Sequence, residues 1–280
     1  MRGLMIQGTA SDVGKSIVMT VLCRVLANKG FQVAPFKSQN MSTKLFTTRG
    51  GDIISRAQQD QARAAKQEPS VYMNPIVLIM QQEMKSEVIL SGKRKGIVTG
   101  REYHETYYDE GLTAITNALC YLKKHYDIIL MEGAGSPVEL NLKERELVNM
   151  KVAEVADVPV ILVVDIERGG VFASIVGTLT LMKEKERQRI EGIIINKFRG
   201  DRSMFNEGVS WIEEYTKLPV LGVLPVISHG IAPEDTLSEE GQLYEENRIM
   251  QAIDDPYEDI ADKLEPFLNI GKILSIIQQG

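Results

Sequence analysis

The sequence predicts an α/β fold: a mostly parallel central sheet with helices on both faces. Three observations carry this. Near-continuous apolar runs recur at residues 128–131, 158–164, 190–195 and 220–224, as strands buried on both faces require. Helical stretches separate them. At the chain start, the short strand Met5-Ile6-Gln7 leads through Gly8-Thr9-Ala10-Ser11-Asp12-Val13-Gly14-Lys15-Ser16 into a helix. Its apolar residues Ile17, Val18, Val21, Leu22, Val25 and Leu26 keep helical spacing.

The connecting segment is a phosphate-binding loop. Backbone N–H groups at such a helix start point at anionic oxygens, Lys15 supplies a point charge, and Ser16 can hold Mg²⁺. The leading glycine, Gly8, stands one residue earlier than the pattern G-x-x-x-x-G-K-[ST] asks, with Thr9 in the usual place. The loop is expected to face solvent, with Lys15 outside the core.

Asn28-Lys29-Gly30 stops the first helix, and Phe31 to Phe36 forms a second strand. Residues 51–66 read as a helix. Residues 70–100, punctuated by Pro75, Gly92, Gly96 and Gly100, read as irregular strand and loop. One long helix is expected over about 102–125. A strand then runs from Asp127 to Met131 and ends at Glu132. The strand 158–164 ends at Asp165, 190–195 at Asn196, and 220–224 at Pro225. The chain divides into a synthetase-sized domain over 1–240 and a tail over 241–280 with one helix at about 257–277.

Lys37, Glu132, Asp165 and Asn196 each follow an apolar strand, where an open parallel sheet lines its ligand crevice. Any one of them alone is explained as a cap or turn residue; four beside a phosphate loop point to a site. Glu132 followed by Gly133-Ala134-Gly135 places a carboxylate beside flexible backbone, suited to a Mg²⁺ ligand near a γ-phosphate. Asn196-Lys197 offers an amide to a purine edge.

A chain of 280 residues with 44% apolar and 25% charged residues has ordinary globular composition. A net charge of −6 supplies no basic excess for nucleic acid or a membrane surface. Cys23 and Cys120 both fall in predicted amphipathic helices and are expected on their apolar faces, as buried thiols in a reducing compartment. With no signal peptide and no apolar run of ~18 residues, a cytoplasmic location is expected.

The motifs together resemble the synthetase domain of the cobyric acid synthase family. They are Gly8 to Ser16, Pro35 to Met41, Arg56-Ala57-Gln58, Met73-Asn74-Pro75 and Arg101-Glu102-Tyr103-His104, followed by Glu132 to Pro137. Asn141-Leu142 with Val148-Asn149-Met150, Asp165 to Ser174, Asn196 to Asp201 and Leu221 to Pro225 complete the series. The resemblance covers about residues 1–240 and extends to a superfamily that includes dethiobiotin synthetase, all of P-loop NTPase type.

It implies ATP-dependent amidation of corrinoid side-chain carboxylates through acyl phosphates, with ATP and Mg²⁺ as cofactors. The implied substrate is a corrinoid of the adenosylcobyrinic acid a,c-diamide type. By resemblance Gly8, Thr9, Ser11, Val13, Gly14, Lys15, Ser16, Asn196 and Lys197 bind the nucleotide. Lys15, Lys37 and Glu132 act on the transferring phosphoryl, and Ser16, Asp52 and Glu132 hold the metal. Gln39, Asn40, Asp165, Gly169, Gly170 and Val171 fall to the substrate.

Three departures from the family stand out. Asp52 replaces its usual Glu. Ile79 to Met84 replaces a Lys-Pro and glycine-containing polar stretch, although Lys85, Lys93, Arg94 and Lys95 lie nearby. The C-terminal glutaminase domain, with its Cys, His and Glu, is not found after residue 240; the chain reads as though it were removed between about 245 and 256. His104, His125 and His229 are scattered. Ammonia is then taken free or from a separate glutaminase subunit. A homodimer is an open assembly. Three rival readings are a non-catalytic ATP- or corrinoid-binding regulatory P-loop protein, a partition-type ATPase and a dethiobiotin-type carboxylase. The partition-type ATPase lacks support, because Thr9, Ala10 and Ser11 stand where such proteins carry an extra lysine.

Overall fold

The computed structural model describes residues 2–82, 84–141, 146–228 and 255–279. Leu142, His229 and the junction at about 245–254 lie outside them. The chain opens with β1 (Gly3–Gly8), α1 (Lys15–Asn28) and β2 (Val33–Phe36). After an excursion it returns to the same sheet with β9 (Ile128–Glu132), β10 (Val160–Asp165), β11 (Ile190–Phe198) and β12 (Val220–Pro225). The six strands lie in the order β12-β11-β10-β1-β9-β2, and every pairing is parallel. The predicted α/β architecture is the one found.

Strand period divides the core cleanly in two, because successive side chains point to opposite faces. Leu4, Ile6, Ile128, Leu130, Ile161 and Val163 pack on one face against α1, while Met5, Ile129, Met131, Leu162 and Val164 pack on the other. That second face is covered by α4 (Tyr108–His125), α5 (Met150–Ala156), α6 (Val171–Leu181) and, through Ile212, α8 (Asn206–Thr216). The short α7 (Glu184–Arg187) lies on the surface.

The excursion is more regular than its glycines suggest. β3 (Gln39–Met41), β6 (Ile76–Met80), β7 (Lys85–Leu90) and β8 (Lys93–Thr99) form a second sheet in that order, with β6-β7-β8 antiparallel. Ser91 (φ 48°) and Gly92 (φ 77°) make the two-residue turn between β7 and β8, the positive-φ geometry that right-twisted hairpins favour. The predicted helix at 51–66 begins only at α2 (Arg56–Ala64). Its first residues are instead a turn at Gly51 (φ 80°) and β5 (Ile53–Ser55), which pairs with β4 (Leu45–Thr47). Ser55 then caps α2, its hydroxyl accepting from Gln58 N.

The long helix expected at 102–125 is two helices. α3 (Gly100–Thr106) starts on a capping box between Thr99 and Glu102, and the chain breaks at Tyr107 (φ −108°, ψ 2°) before α4. The expected single helix at 257–277 is likewise two, α9 (Pro256–Leu264) and α10 (Ile270–Gln279). Pro266 lies in the 3₁₀ turn between them, and Leu268 bridges to Gly222 of β12. Both helices bury apolar residues in the α1 face of the core: Ile260, Ala261 and Leu264, then Ile273, Ile276 and Ile277. Among the described residues no helix is long and apolar enough to cross a membrane.

Candidate functional site

The carboxyl ends of β1, β9, β10 and β11 lie side by side, so the polar residues that end these strands meet. The phosphate loop leaves β1 there. Gly14 adopts φ 92° and caps α1, and a Cβ at this position would stand 2.0 Å from Asn196 Nδ2. Gly8 is equally confined: a Cβ there would lie 2.6 Å from Val13 Cγ2. Asn196, inside β11 rather than just after it, donates from Nδ2 to the carbonyl of Val13 at 2.9 Å. Its observed contact is therefore with the loop itself.

Ala10, Ser11 and Asp12 are exposed as expected, but Lys15 is not: it is only 7% exposed. Its Nζ donates to the carbonyls of Ala10 and Gly135, each at 3.2 Å, and so ties the loop to the segment after β9.

Glu132 is the centre of the arrangement. It is 1% exposed, at the end of β9. Ser16 Oγ donates to its Oε1 at 2.8 Å, Lys37 Nζ meets the same oxygen at 3.0 Å, and Gln61 Nε2 donates to Oε2 at 2.5 Å. A carboxylate this deep is costly unless paired and hydrogen-bonded, and here both conditions hold. Three of the sequence-predicted residues, Ser16, Lys37 and Glu132, thus share one contact set, and Lys15 joins it through Gly135.

The backbone beyond Glu132 is fixed by Asn149, whose Nδ2 donates to the carbonyls of Ala134 (2.7 Å) and Ser136 (3.3 Å). A Cβ on Gly133 would fall 2.1 Å from Asn149 Oδ1, so only glycine fits there. Gly135 takes φ 58°, which turns its carbonyl into the reach of Lys15.

Other predicted residues sit apart from this set. Asp165 ends β10 beside Asn196 in register and pairs with Lys197 (3.1 Å) and Arg168 (3.8 Å). Gly169 and Gly170 (φ 77° and 71°) turn the exposed loop into α6, whose first residue is Val171. Gln39 accepts from Tyr103 Oη at 2.6 Å, and Asn40 is buried against Ser55 and Gln58. Asp52 pairs with Lys93 at 2.9 Å beside Gly92, and the Ser16–Lys37–Glu132 set closes without it. Of the neighbouring cations, Arg94 pairs with Glu87 and Lys95 with Glu110, as a surface charge run ordinarily does.

Cys23 is fully buried in α1, and burial pushes its thiol up, with the Glu132 carboxylate adding to the rise. Cys120 is exposed, contrary to expectation. The buried stripe of α4 runs through Gly111, Ala114, Ile115, Ala118, Leu119 and Leu122, and residue 120 falls outside it.

Gln58 and Asn149 stand in the sequence analysis only as members of quoted motifs, with no role assigned, and Gln61 is not singled out there. The available signal was Arg56 to Ala64, a helix with glutamines at 58, 59 and 61 among small alanines, which reads as a solvated face. Among the described residues no cluster of three His, Cys, Asp or Glu side chains forms. The hard oxygens of Ser16 and Glu132, 2.8 Å apart beside a phosphate loop, are the donor chemistry Mg²⁺ takes, and they fit it.

The family model described as AAA domain matches residues 2–234. Cobyric acid synthase of Acaryochloris marina (strain MBIC 11017) is 51% identical over 237 residues, covering 85% of this chain and 48% of the relative. That of Microcystis aeruginosa (strain NIES-843 / IAM M-2473) is 49% identical over 238 residues, with the same coverage. That of Thermosynechococcus vestitus (strain NIES-2133 / IAM M-273 / BP-1) is 51% identical over 236 residues, 84% of this chain and 48% of the relative. The chain spans about half the length of these curated relatives.

Proposed function

The chain belongs to the P-loop family that the AAA domain model describes and is homologous to cobyric acid synthases, and from that premise we propose that it is an ATP-dependent synthetase that amidates carboxylates of a corrinoid. The observation that carries the reading is the Glu132 carboxylate held between Ser16 of the phosphate loop and Lys37 at the end of β2. A cytoplasmic location belongs to the same reading, as does a substrate of the adenosylcobyrinic acid a,c-diamide type.

A carboxylate is a poor electrophile until one oxygen becomes a phosphate leaving group. In the proposed reaction the substrate carboxylate oxygen bonds to the terminal phosphorus of ATP and the bond to ADP breaks. Ammonia's lone pair then attacks the acyl carbon. Inorganic phosphate leaves with the displaced oxygen, and an ammonia proton ends on it. Such chemistry needs anion binding and charge neutralisation more than covalent help from the protein.

The residues suit those tasks. Backbone N–H groups at the start of α1 receive phosphate oxygens. Lys15 and Lys37 bring two ammonium groups into a buried, low-dielectric place where their charge counts for more than in water. Ser16 and Glu132 would hold Mg²⁺, which supplies further neutralisation of the polyphosphate. Asn196 braces the loop from β11. Asp52, bound to Lys93, is not needed for this set.

Nitrogen comes free or from a separate glutaminase in this proposal. The test is the purified chain with MgATP, a corrinoid acid, and either ammonium or glutamine. ADP release and amide formation with ammonium alone are expected. If neither nitrogen source gives product while nucleotide still binds, the chain is a regulatory nucleotide-binding protein instead.

A further inference from the structure

The two oxygens of Glu132 keep different company. Oε1 meets Ser16 and Lys37, while Oε2 is held by Gln61 Nε2 at 2.5 Å. Gln61 cannot turn its amide freely, because its Oε1 accepts from Gln58 Nε2 at 3.1 Å. Gln58 Oε1 in turn accepts from Ser55 Oγ (2.7 Å) and Asn40 Nδ2 (3.1 Å), and Asn40 Nδ2 also reaches Ser55 Oγ at 2.8 Å. Ser55, Gln58, Gln61, Asn40 and Glu132 are all buried. Flipping Gln61 would set its carbonyl oxygen against the carboxylate and its NH₂ against the NH₂ of Gln58. Each amide therefore fixes the next, in a setting where an unmade hydrogen bond is expensive.

We propose that Gln61 is a positioning residue for Glu132, and that the Gln58–Gln61 pair couples Asn40 on β3 to that carboxylate. The proposal rests on the reading of Ser16 and Glu132 as the Mg²⁺-holding pair of a nucleotide site. Gln61 anchors Oε2, which leaves Oε1 aimed at Ser16. Without the anchor the carboxylate rotates and Lys37 takes a larger share of it. β3 is an edge strand of the second sheet, so a molecule bound against it can act on the carboxylate through two glutamines.

The experiment uses the whole chain and measures ADP binding calorimetrically with and without Mg²⁺. In Gln61→Met, which keeps length but not the donor, the Mg²⁺ concentration for half-maximal enhancement of ADP binding is expected to rise ~10-fold or more. Binding of ADP without Mg²⁺ stays as in the parent. Asn40→Ala raises the same Mg²⁺ midpoint, and Asn40→Ala added to Gln61→Met raises it no further, since the relay is already cut. Gln61→Asn keeps the amide but shortens the arm, so the donor no longer reaches Oε2 and the Mg²⁺ midpoint rises as in Gln61→Met.

A parent-like Mg²⁺ midpoint in Gln61→Met overturns the positioning role. So does an equal loss of ADP binding with and without Mg²⁺, which is what a mere packing role gives. Additive effects of the two substitutions overturn the coupling to Asn40. Should Gln61→Met fail to fold, Gln61→Asn and Asn40→Ala decide the matter by the same midpoint. A parent chain that binds no ADP at all is a separate failure, that of the nucleotide reading itself.

Discussion

Asn196 Nδ2 donates to the carbonyl of Val13 at 2.9 Å, which ties β11, second in the order of the sheet, to the phosphate loop that leaves β1, the fourth. The contact occupies the space a side chain at Gly14 would need, 2.0 Å from the same nitrogen. Gly14→Ala therefore meets two obstacles at once, this clash and a φ of 92° that L-residues avoid. We expect a stability loss of about 1–3 kcal/mol in urea unfolding and a clear fall in MgATP affinity. Asn196→Ala in the same chain should restore part of the stability by removing the clash. No restoration would show that backbone strain alone governs the position.

Lys15→Met removes the ammonium while keeping the stem. Because Lys15 is buried and bonds two carbonyls, the fold does not pass untouched: a loss of roughly 1–2 kcal/mol is expected from the two acceptors left behind. MgATP affinity should fall far more than that figure alone implies, since the charge is lost as well. Unchanged affinity in a folded variant would remove the phosphate-loop assignment.

Glu132→Gln deletes one negative charge beside a lysine whose side chain is 5% exposed. Leaving that ammonium without its counter-charge is expected to cost about 3–5 kcal/mol, the usual penalty for breaking a buried pair. If the proposed chemistry holds, turnover with ammonium falls by orders of magnitude while ADP binding without Mg²⁺ persists. Adding Lys37→Met should recover stability but not turnover. A double variant no more stable than Glu132→Gln would mean that Lys37 is solvated well enough alone.

Strands and loop were legible because burial on both faces writes itself into the chain as apolar runs. Glu132 and Asn196 stood out as polar breaks in such runs. The break at Tyr107 was hidden, since no glycine or proline marks it and the apolar pattern continues into α4. Gln61 and the role of Gln58, which the sequence offers only as part of a motif, were hidden for the opposite reason: buried amides satisfied by their neighbours look, in sequence, like a solvated helix face. The pairing of Asp52 with Lys93 depends on a hairpin that brings together residues about 40 apart, which local pattern does not reveal. Cys120 was misplaced by one step around a helix.

The two thiols give the last prediction, and it has a worked sign. Cys120 is exposed and should react with a disulfide reagent in the folded chain, whereas Cys23 should react only on unfolding. Burial, with Glu132 nearby, raises the Cys23 thiol above its ordinary value. The folded chain therefore keeps a proton that the unfolded chain releases above its usual thiol pKa of ~8.5. Stability from this group is fully present below that pH and is lost as pH rises towards the folded value. The loss approaches about 1.4 kcal/mol per pH unit for one proton. Urea unfolding of a Cys120→Ser chain from pH 7 to 9.5 should show that alkaline slope, and Cys23→Ala should flatten it. The window stops short of the tyrosines, whose Tyr103 and Tyr257 hydroxyls are also pushed up by burial and would add their own slope at higher pH. An identical slope with and without Cys23 would mean that the thiol of α1 reaches water in the native state. It could then attack the side-chain amide carbon of added glutamine, expelling ammonia, and water would release glutamate from the resulting thioester. Glutamate release by the chain alone, abolished in Cys23→Ala, would overturn the separate source of nitrogen proposed for this chain.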